Sequence, residues 1–268
     1  MIIDGHVHTP FCPHGTTDTL KSYIENAILK NYQSITFAEH APLPPSFSDP
    51  APDKDSGMDS NVVEAYFNAI TKVKEEYRGQ IRVLAGMEVD FIEGYEEETA
   101  HLLDTYGPQL DDAVLSVHFL KSSERYHCID FSPEAFDVAV KDFGSTQEVY
   151  DAYFSTVTKS VEADLGKYKP KRIGHMSLVR KFHKQFPSPE EWTRPIPQLL
   201  RLIKQKGYEL DYNGAGMIKP LCGETYPPLH IANEAHNIGI PLVYGSDAHA
   251  STAIGQGYDG LDSKLING

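Results

Sequence analysis

The chain has 268 residues, a length that α/β barrels reach as one domain and that can bury a substantial core. Its 24 Lys and Arg stand against 38 Asp and Glu, a net charge of -14, which argues against a nucleic-acid-binding surface because neutralising phosphates needs clustered cations. Three cysteines without paired spacing argue against a disulfide framework. With neither a signal-peptide start nor an apolar run of about 18 residues, a soluble, cytoplasmic protein with no membrane partner is expected.

Along the chain, short apolar runs alternate with helical patterns. Ile2–His8 reads as a strand, and Asp18–Lys30 as a helix whose Leu20, Tyr23, Ile24, Ala27 and Ile28 keep the spacing of one buried face. Ser34–Glu39 is the next strand. Val62–Tyr77 is a helix with Val63, Phe67, Ile70 and Val73 on one side and Gly79 as its stop. A strand over Ile81–Val89, a helix over Tyr95–Tyr106 and a strand over Ala113–Phe119 follow. A long helix from Thr146 to Lys167 ends before Pro170, and Arg172–His175 starts another strand. Pro189–Lys206 is a helix closed by Gly207, Glu209–Asn213 a strand, Leu229–Asn237 a helix closed by Gly239, and Pro241–Ser246 the last strand. Seven strands, nearly all followed by helical segments, point to parallel β/α units in a single domain spanning 1–268. Two stretches break the alternation. Ala41–Asp59 holds Pro42, Pro44, Pro45, Pro50 and Pro52 and reads as an ordered loop beside His40, whereas Ser122–Asp142 carries no assignable pattern.

In a β/α barrel the chemistry gathers at the C-terminal ends of the strands. Those ends carry His6 and His8, then His40, Glu88, His118, His175, Asn213, and Asp247 with His249; His14 lies in the first loop. His6 and His8, two apart on a strand, point to one side and can grip one ion together. Each residue has an ordinary reading, as a hydrogen-bonded core histidine or a satisfied carboxylate, and Cys12 reads as a small buried hydrophobe. Those readings must all hold at once across the strand ends, so a metal site explains the placement better. Seven histidines with Glu88 and Asp247 make nine candidate ligands, more than the four a tetrahedral zinc takes. Two or three divalent ions with a bridging carboxylate are therefore expected, and zinc, iron or manganese would suit these donors.

The motifs Asp4-Gly5-His6-Val7-His8-Thr9, Cys12-Pro13-His14-Gly15, Glu39-His40-Ala41-Pro42-Leu43-Pro44, Gly86-Met87-Glu88-Val89-Asp90, Ser116-Val117-His118-Phe119, Ile173-Gly174-His175 and Gly245-Ser246-Asp247-Ala248-His249 resemble those of the polymerase-and-histidinol-phosphatase (PHP) superfamily. The Pro-rich segment resembles its monofunctional histidinol-phosphate phosphatase branch. The resemblance covers nearly the whole chain and implies a distorted (β/α)7 barrel, with the metal site at the C-terminal ends of its strands. It implies that His6, His8, Glu88 and Asp247 hold a first metal. Glu88 would bridge to a second, held also by His118 and His175, and His14, His40 and His249 would hold a third. The implied reaction is hydrolysis of L-histidinol phosphate in histidine biosynthesis, by in-line attack of a metal-bridging hydroxide. Glu88, His118, Asp247 and His249 are the expected catalytic group.

For the substrate, Arg180 and Lys181 are candidate phosphate contacts, against the alternative that both are solvated helix residues. Glu39 and Asp90 flank ligands and would either receive the ammonium or orient ligand rings, and Phe47 would cover the imidazole. The alternative substrates are another small phosphate monoester or nucleic-acid ends, the latter disfavoured by the charge. A cyclic amidohydrolase also begins with His-x-His, but it leaves His14 and His40 unexplained. A non-catalytic metal store would need a saturated coordination shell.

Overall fold

The computed structural model describes residues 2–123 and 125–266. Met1, Glu124, Asn267 and Gly268, which belong to the stretches read above, lie outside the described residues. The strands are β1 (Ile3–Val7), β2 (Ser34–His40), β3 (Arg82–Asp90), β4 (Asp112–Ser116), β5 (Phe119–Ser122), β6 (Arg125–Cys128), β7 (Arg172–Ile173), β8 (Glu209–Asn213) and β9 (Leu242–Gly245). The helices are α1 (Leu20–Leu29), α2 (Val63–Glu76), α3 (Glu96–Tyr106), α4 (Pro133–Phe143), α5 (Thr146–Glu162), α6 (Ile196–Lys206), α7 (Ala215–Ile218) and α8 (Leu229–Asn237).

Seven of the strands form one parallel sheet in the order β1-β2-β3-β4-β7-β8-β9. β2 is buried at every position, as expected of a parallel strand covered on both faces. The sheet curls until its last strand meets its first. There, His8 N donates to Ala248 O at 3.0 Å and Asp247 N to His6 O at 2.7 Å. Ser246 N also donates to the Asp4 carboxylate at 2.8 Å, and burial pushes the Asp4 pKa up to about 6. The result is a nearly closed, distorted (β/α)7 barrel whose seam is joined beside the strand ends that carry the histidines. The buried faces of α1 and α2 are those of the apolar spacing, with Tyr23, Ile24 and Ala27 of α1 fully enclosed. Among the described residues no helix is long and apolar enough to cross a membrane.

The structure differs from the sequence expectations at several boundaries. The expected strand Ala113–Phe119 stops at Ser116; Phe119 instead opens β5, which pairs antiparallel with β6. This hairpin and α4 fill the unassigned stretch 122–142. The helix from Thr146 ends at Glu162, because Lys169 Nζ takes the carbonyls of Val161 (2.9 Å) and Ala163 (2.6 Å) and Gly166 turns the chain at φ 79°. The helix expected from Pro189 begins at Ile196, since Pro195 and Pro197 fit only a helix cap and first turn. β7 is only two residues long, although Gly174 N still donates to Leu115 O at 2.9 Å. The Pro-rich stretch 41–59 contains neither helix nor strand.

Candidate metal centre

Glu88, near the end of β3, is the hub of the strand-end cluster and is 1 % exposed. Its Oε2 lies 3.4 Å from His6 Nε2, 3.6 Å from His8 Nε2 and 3.1 Å from His40 Nδ1. Its Oε1 lies 2.8 Å from His175 Nε2 and 3.7 Å from His118 Nε2 and accepts the Ser116 hydroxyl at 2.6 Å. One carboxylate thus serves a different set of rings with each oxygen. Ser116 reaches it because residue 174 is glycine: a Cβ there would lie 2.0 Å from Ser116 Oγ.

Carboxylates also stand behind the rings. His6 Nδ1 donates to Asp211 Oδ2 at 2.9 Å, His8 Nδ1 to Glu39 Oε1 at 3.2 Å, and His118 Nδ1 to Asp90 Oδ1 at 2.7 Å. Each bond fixes the tautomer and turns Nε2 towards Glu88. Glu39 is itself held by Thr9 N at 2.8 Å and His40 N at 2.9 Å. Of the two readings open for Glu39 and Asp90, the geometry is that of ring orientation. Asp247 follows β9 in the left-handed region at φ 55°, a conformation rare outside glycine, and brings Oδ1 to 3.2 Å from His8 Nε2.

Burial opposes a charge on His118, but Asp90 and then Glu88 outweigh it and lift its pKa to about 10. Likewise, burial opposes the charge on His8, while its bonds to Asp247 and Glu39 raise it to about 9. Glu88, despite burial, is held well below the usual carboxylate range by His6 and His118. His249 falls well below the usual histidine value, through burial and the nearby charge of His8. So many imidazoles cannot all carry protons together.

The residues fit divalent transition metals on their own geometry. Among the described residues, His6 Nε2, His8 Nε2, His40 Nδ1 and His175 Nδ1 are buried without a hydrogen-bond partner, a costly arrangement unless something accepts their lone pairs. Donor atoms of His6, His8 and Asp247 lie within 4.8 Å of one another, as do those of Glu88, His118 and His175, and those of His8, Cys12, His40 and His249. Neutral imidazole with carboxylate is the donor set of zinc, iron or manganese. His14 is the most exposed of these histidines; its ring is 5.0 Å from that of His40 and 5.1 Å from that of His249, and its Nδ1 donates to Asp55 O at 2.9 Å. The cysteine read as a small hydrophobe is indeed buried, but it stands among these rings.

The chain matches the PHP domain family over residues 4–215. It belongs to the PHP family. This PHP protein is 48% identical over 258 residues to the histidinol-phosphatase of Bacillus subtilis (strain 168), covering 96% of each. A crystal structure of a candidate histidinol phosphatase, HisK, from Listeria monocytogenes superposes with a TM-score of 0.91 at 40% identity, covering 96% of this chain and 99% of that one. The histidinol phosphate phosphatase of Lactococcus lactis subsp. lactis Il1403, in complex with zinc, L-histidinol and phosphate, shares the fold at 16% identity and a TM-score of 0.68, over 93% of this chain and 87% of that one.

Two of the substrate contacts expected from sequence are corrected. Arg180 does not line the cleft beside the histidines: its guanidinium bonds Glu224, donates to Ser188 Oγ at 2.6 Å and covers the Trp192 ring at 4.1 Å. Glu224, half-buried, supplies the countercharge that a substrate phosphate would have supplied. Phe47 is enclosed against Phe119, Tyr126 and Tyr95, with ring centroids 5.0 to 5.2 Å away, so it cannot cover a ligand. Lys181 does line the cleft, a space of about 280 Å³ that it shares with His14, His40 and His118, and its Nζ lies 3.0 Å from Asp130 Oδ2. Asp211, Ser116 and Asp130 had no role assigned from sequence. Asp211 was accessible in principle, because it sits two residues before Asn213 and so on the same side of β8. Their amides and carboxylates do meet, with Asn213 Nδ2 3.0 Å from Asp211 Oδ2.

Proposed function

We infer that this PHP protein is a histidinol-phosphatase, which hydrolyses L-histidinol phosphate to L-histidinol and phosphate in histidine biosynthesis. The observation that carries the reading is the end-to-end likeness to the Bacillus subtilis histidinol-phosphatase, with all nine ligand-type residues gathered in one cluster. The Lactococcus lactis relative, which holds zinc with the two products of this reaction, supports it. We assign His6, His8, Glu88 and Asp247 to a first divalent ion, Glu88, His118 and His175 to a second, and His14, His40 and His249 to a third. The domain spans 1–268 and works in the cytoplasm on a small phosphate monoester, without a nucleic-acid or membrane partner.

Divalent ions bound in this cluster supply positive charge against the phosphoryl oxygens and lower the pKa of water towards 7. The protein's part is to hold the donors. Glu39, Asp90 and Asp211 keep the Nδ1 protons of His8, His118 and His6, so that the Nε2 lone pairs face inward. Lys181, on the cleft wall, contacts the phosphate of the ester. Water attacks phosphorus in line with the leaving alcohol, the P–O ester bond breaks, and L-histidinol and phosphate leave. Phosphate release from a panel of monoesters tests this. L-histidinol phosphate is expected to give the highest kcat/KM, and a marked preference for a different ester or for DNA ends would overturn the assignment.

A further inference from the structure

The cleft that opens onto the histidines is also lined by residues outside the candidate ligand set. The chain leaves β6 through Ile129 and reaches Asp130 and Phe131, both of which line the cleft together with His40 and His118. Phe131 is 41 % exposed, among the most open large apolar side chains, although it stands beside a buried polar cluster. An exposed aromatic ring in a wet cleft offers a flat face for stacking. Asp130 Oδ2 pairs with Lys181, but among the described residues its Oδ1 receives only a weak donor, the Cys128 thiol at 3.4 Å, so the carboxylate has accepting capacity left. Asp53 and Asp55 line the same space, and its basic groups among the described residues are Lys181 with His14, His40 and His118. The part of the lining around Asp130 and Phe131 is therefore acidic and aromatic.

An ester whose phosphate lies against the histidines and Lys181 shares the cleft with Phe131 and with Asp130, the ion-pair partner of Lys181 at 3.0 Å. An acidic, aromatic wall suits an alcohol that carries an ammonium and a flat nitrogen heterocycle, and gives nothing special to a neutral polyol. We propose that Asp130 and Phe131 form the leaving-group subsite, with Asp130 accepting from the cationic nitrogen and Phe131 stacking on the ring. This rests on the reading of the chain as a histidinol-phosphatase and adds the residues that make it selective. It moves ammonium recognition from Glu39 and Asp90, which are committed to His8 and His118, to a half-buried carboxylate that lines the cleft. It likewise moves the ring contact from Phe47, which is enclosed, to Phe131.

The test compares L-histidinol phosphate with glycerol 2-phosphate, which lacks both the ammonium and the ring, on metal-loaded wild type, Asp130→Asn and Phe131→Ala. The readout is the ratio of kcat/KM for the two esters, with bound metal measured in each sample. A hydrogen bond to a charged group is worth enough that the ratio should fall about tenfold or more in Asp130→Asn, mainly through KM for L-histidinol phosphate. Loss of the stacking face should lower it by about threefold in Phe131→Ala. Phe131 is exposed, so its variant reports even if Asp130→Asn fails to fold. An unchanged ratio, with both esters losing activity alike, would overturn the proposal and leave Asp130 as a support for Lys181. Wild-type enzyme that does not turn over L-histidinol phosphate would instead overturn the functional reading beneath it.

Discussion

Asp211→Asn isolates what the carboxylates behind the rings contribute. Asp211 Oδ2 accepts from His6 Nδ1 at 2.9 Å and from Asn213 Nδ2 at 3.0 Å, while Oδ1 is buried with no partner among the described residues. An asparagine can keep its carbonyl oxygen on His6 and place its NH2 where Oδ1 stood, so the packing is preserved and the charge is lost. That charge raises the basicity of His6 and aligns Nε2 with the ion proposed to be held with His8 and Asp247. Removing such a partner typically weakens metal binding by about 10- to 100-fold, or about 1.4–2.7 kcal/mol. Elemental analysis after dialysis against graded chelator reads this directly, with thermal melting as the control for folding. The variant should lose its first ion at a lower chelator concentration than wild type and recover activity when metal is added in excess. Retention of metal to the same chelator concentration as wild type would refute the argument that Asp211 acts through His6.

Glu88→Gln removes the charge from the hub of the cluster; bound metal should drop below the wild-type count and turnover by more than about 100-fold, read by elemental analysis and phosphate release. Gly174→Ala would put a Cβ 2.0 Å from Ser116 Oγ and 2.9 Å from Val114 Cγ1. It should cost about 1–3 kcal/mol by overpacking, seen as a lower Tm together with weaker metal retention as Ser116 is pushed off Glu88. Arg180→Ala loses the contacts to Glu224, Ser188 and Trp192, so stability should fall by about 1–3 kcal/mol while KM for the phosphate ester holds; a raised KM would return Arg180 to the cleft. In metal-free protein, His8 and His118 have pKa values raised from 6.5 to about 9 and 10. Their paired protons therefore contribute stability that is fully present below pH 6.5 and lost as pH rises through 9 to 10. Protons and metal compete for the same nitrogens, so the Tm gain on adding zinc should grow with pH between 6.5 and 9, and a gain that shrinks over that range would contradict the reading.

The candidate cluster was legible because barrel strands are covered on both faces and read as short apolar runs, so a histidine or glutamate closing such a run stands out. His6, His8, His40, Glu88 and His175 were found that way, and all of them meet in the structure. The supporting carboxylates were harder to see. Asp211 lies inside β8 rather than at its end, and its role depends on β8 meeting β1 residue His6 across the barrel, a contact that local spacing does not encode. The β5–β6 hairpin escaped notice because Lys121, Ser122 and Arg125 replace the apolar alternation expected of a strand, its stability coming instead from packing Phe119 beneath Phe47. The same tertiary packing explains why Phe47 failed as a ligand contact and why Phe131, on the chain just after the hairpin, is left open. Arg180 and Lys181 are neighbours in sequence yet face different partners, Glu224 and Asp130, and nothing in the local pattern separates them.

The most direct test of the central claim is a metal titration of stripped protein in which bound metal and phosphate release from L-histidinol phosphate are measured on the same samples. Activity should rise only as more than one equivalent of divalent transition metal is bound per chain, and chelator should abolish it. Full turnover in chelator, by protein that elemental analysis finds free of metal, would contradict the account.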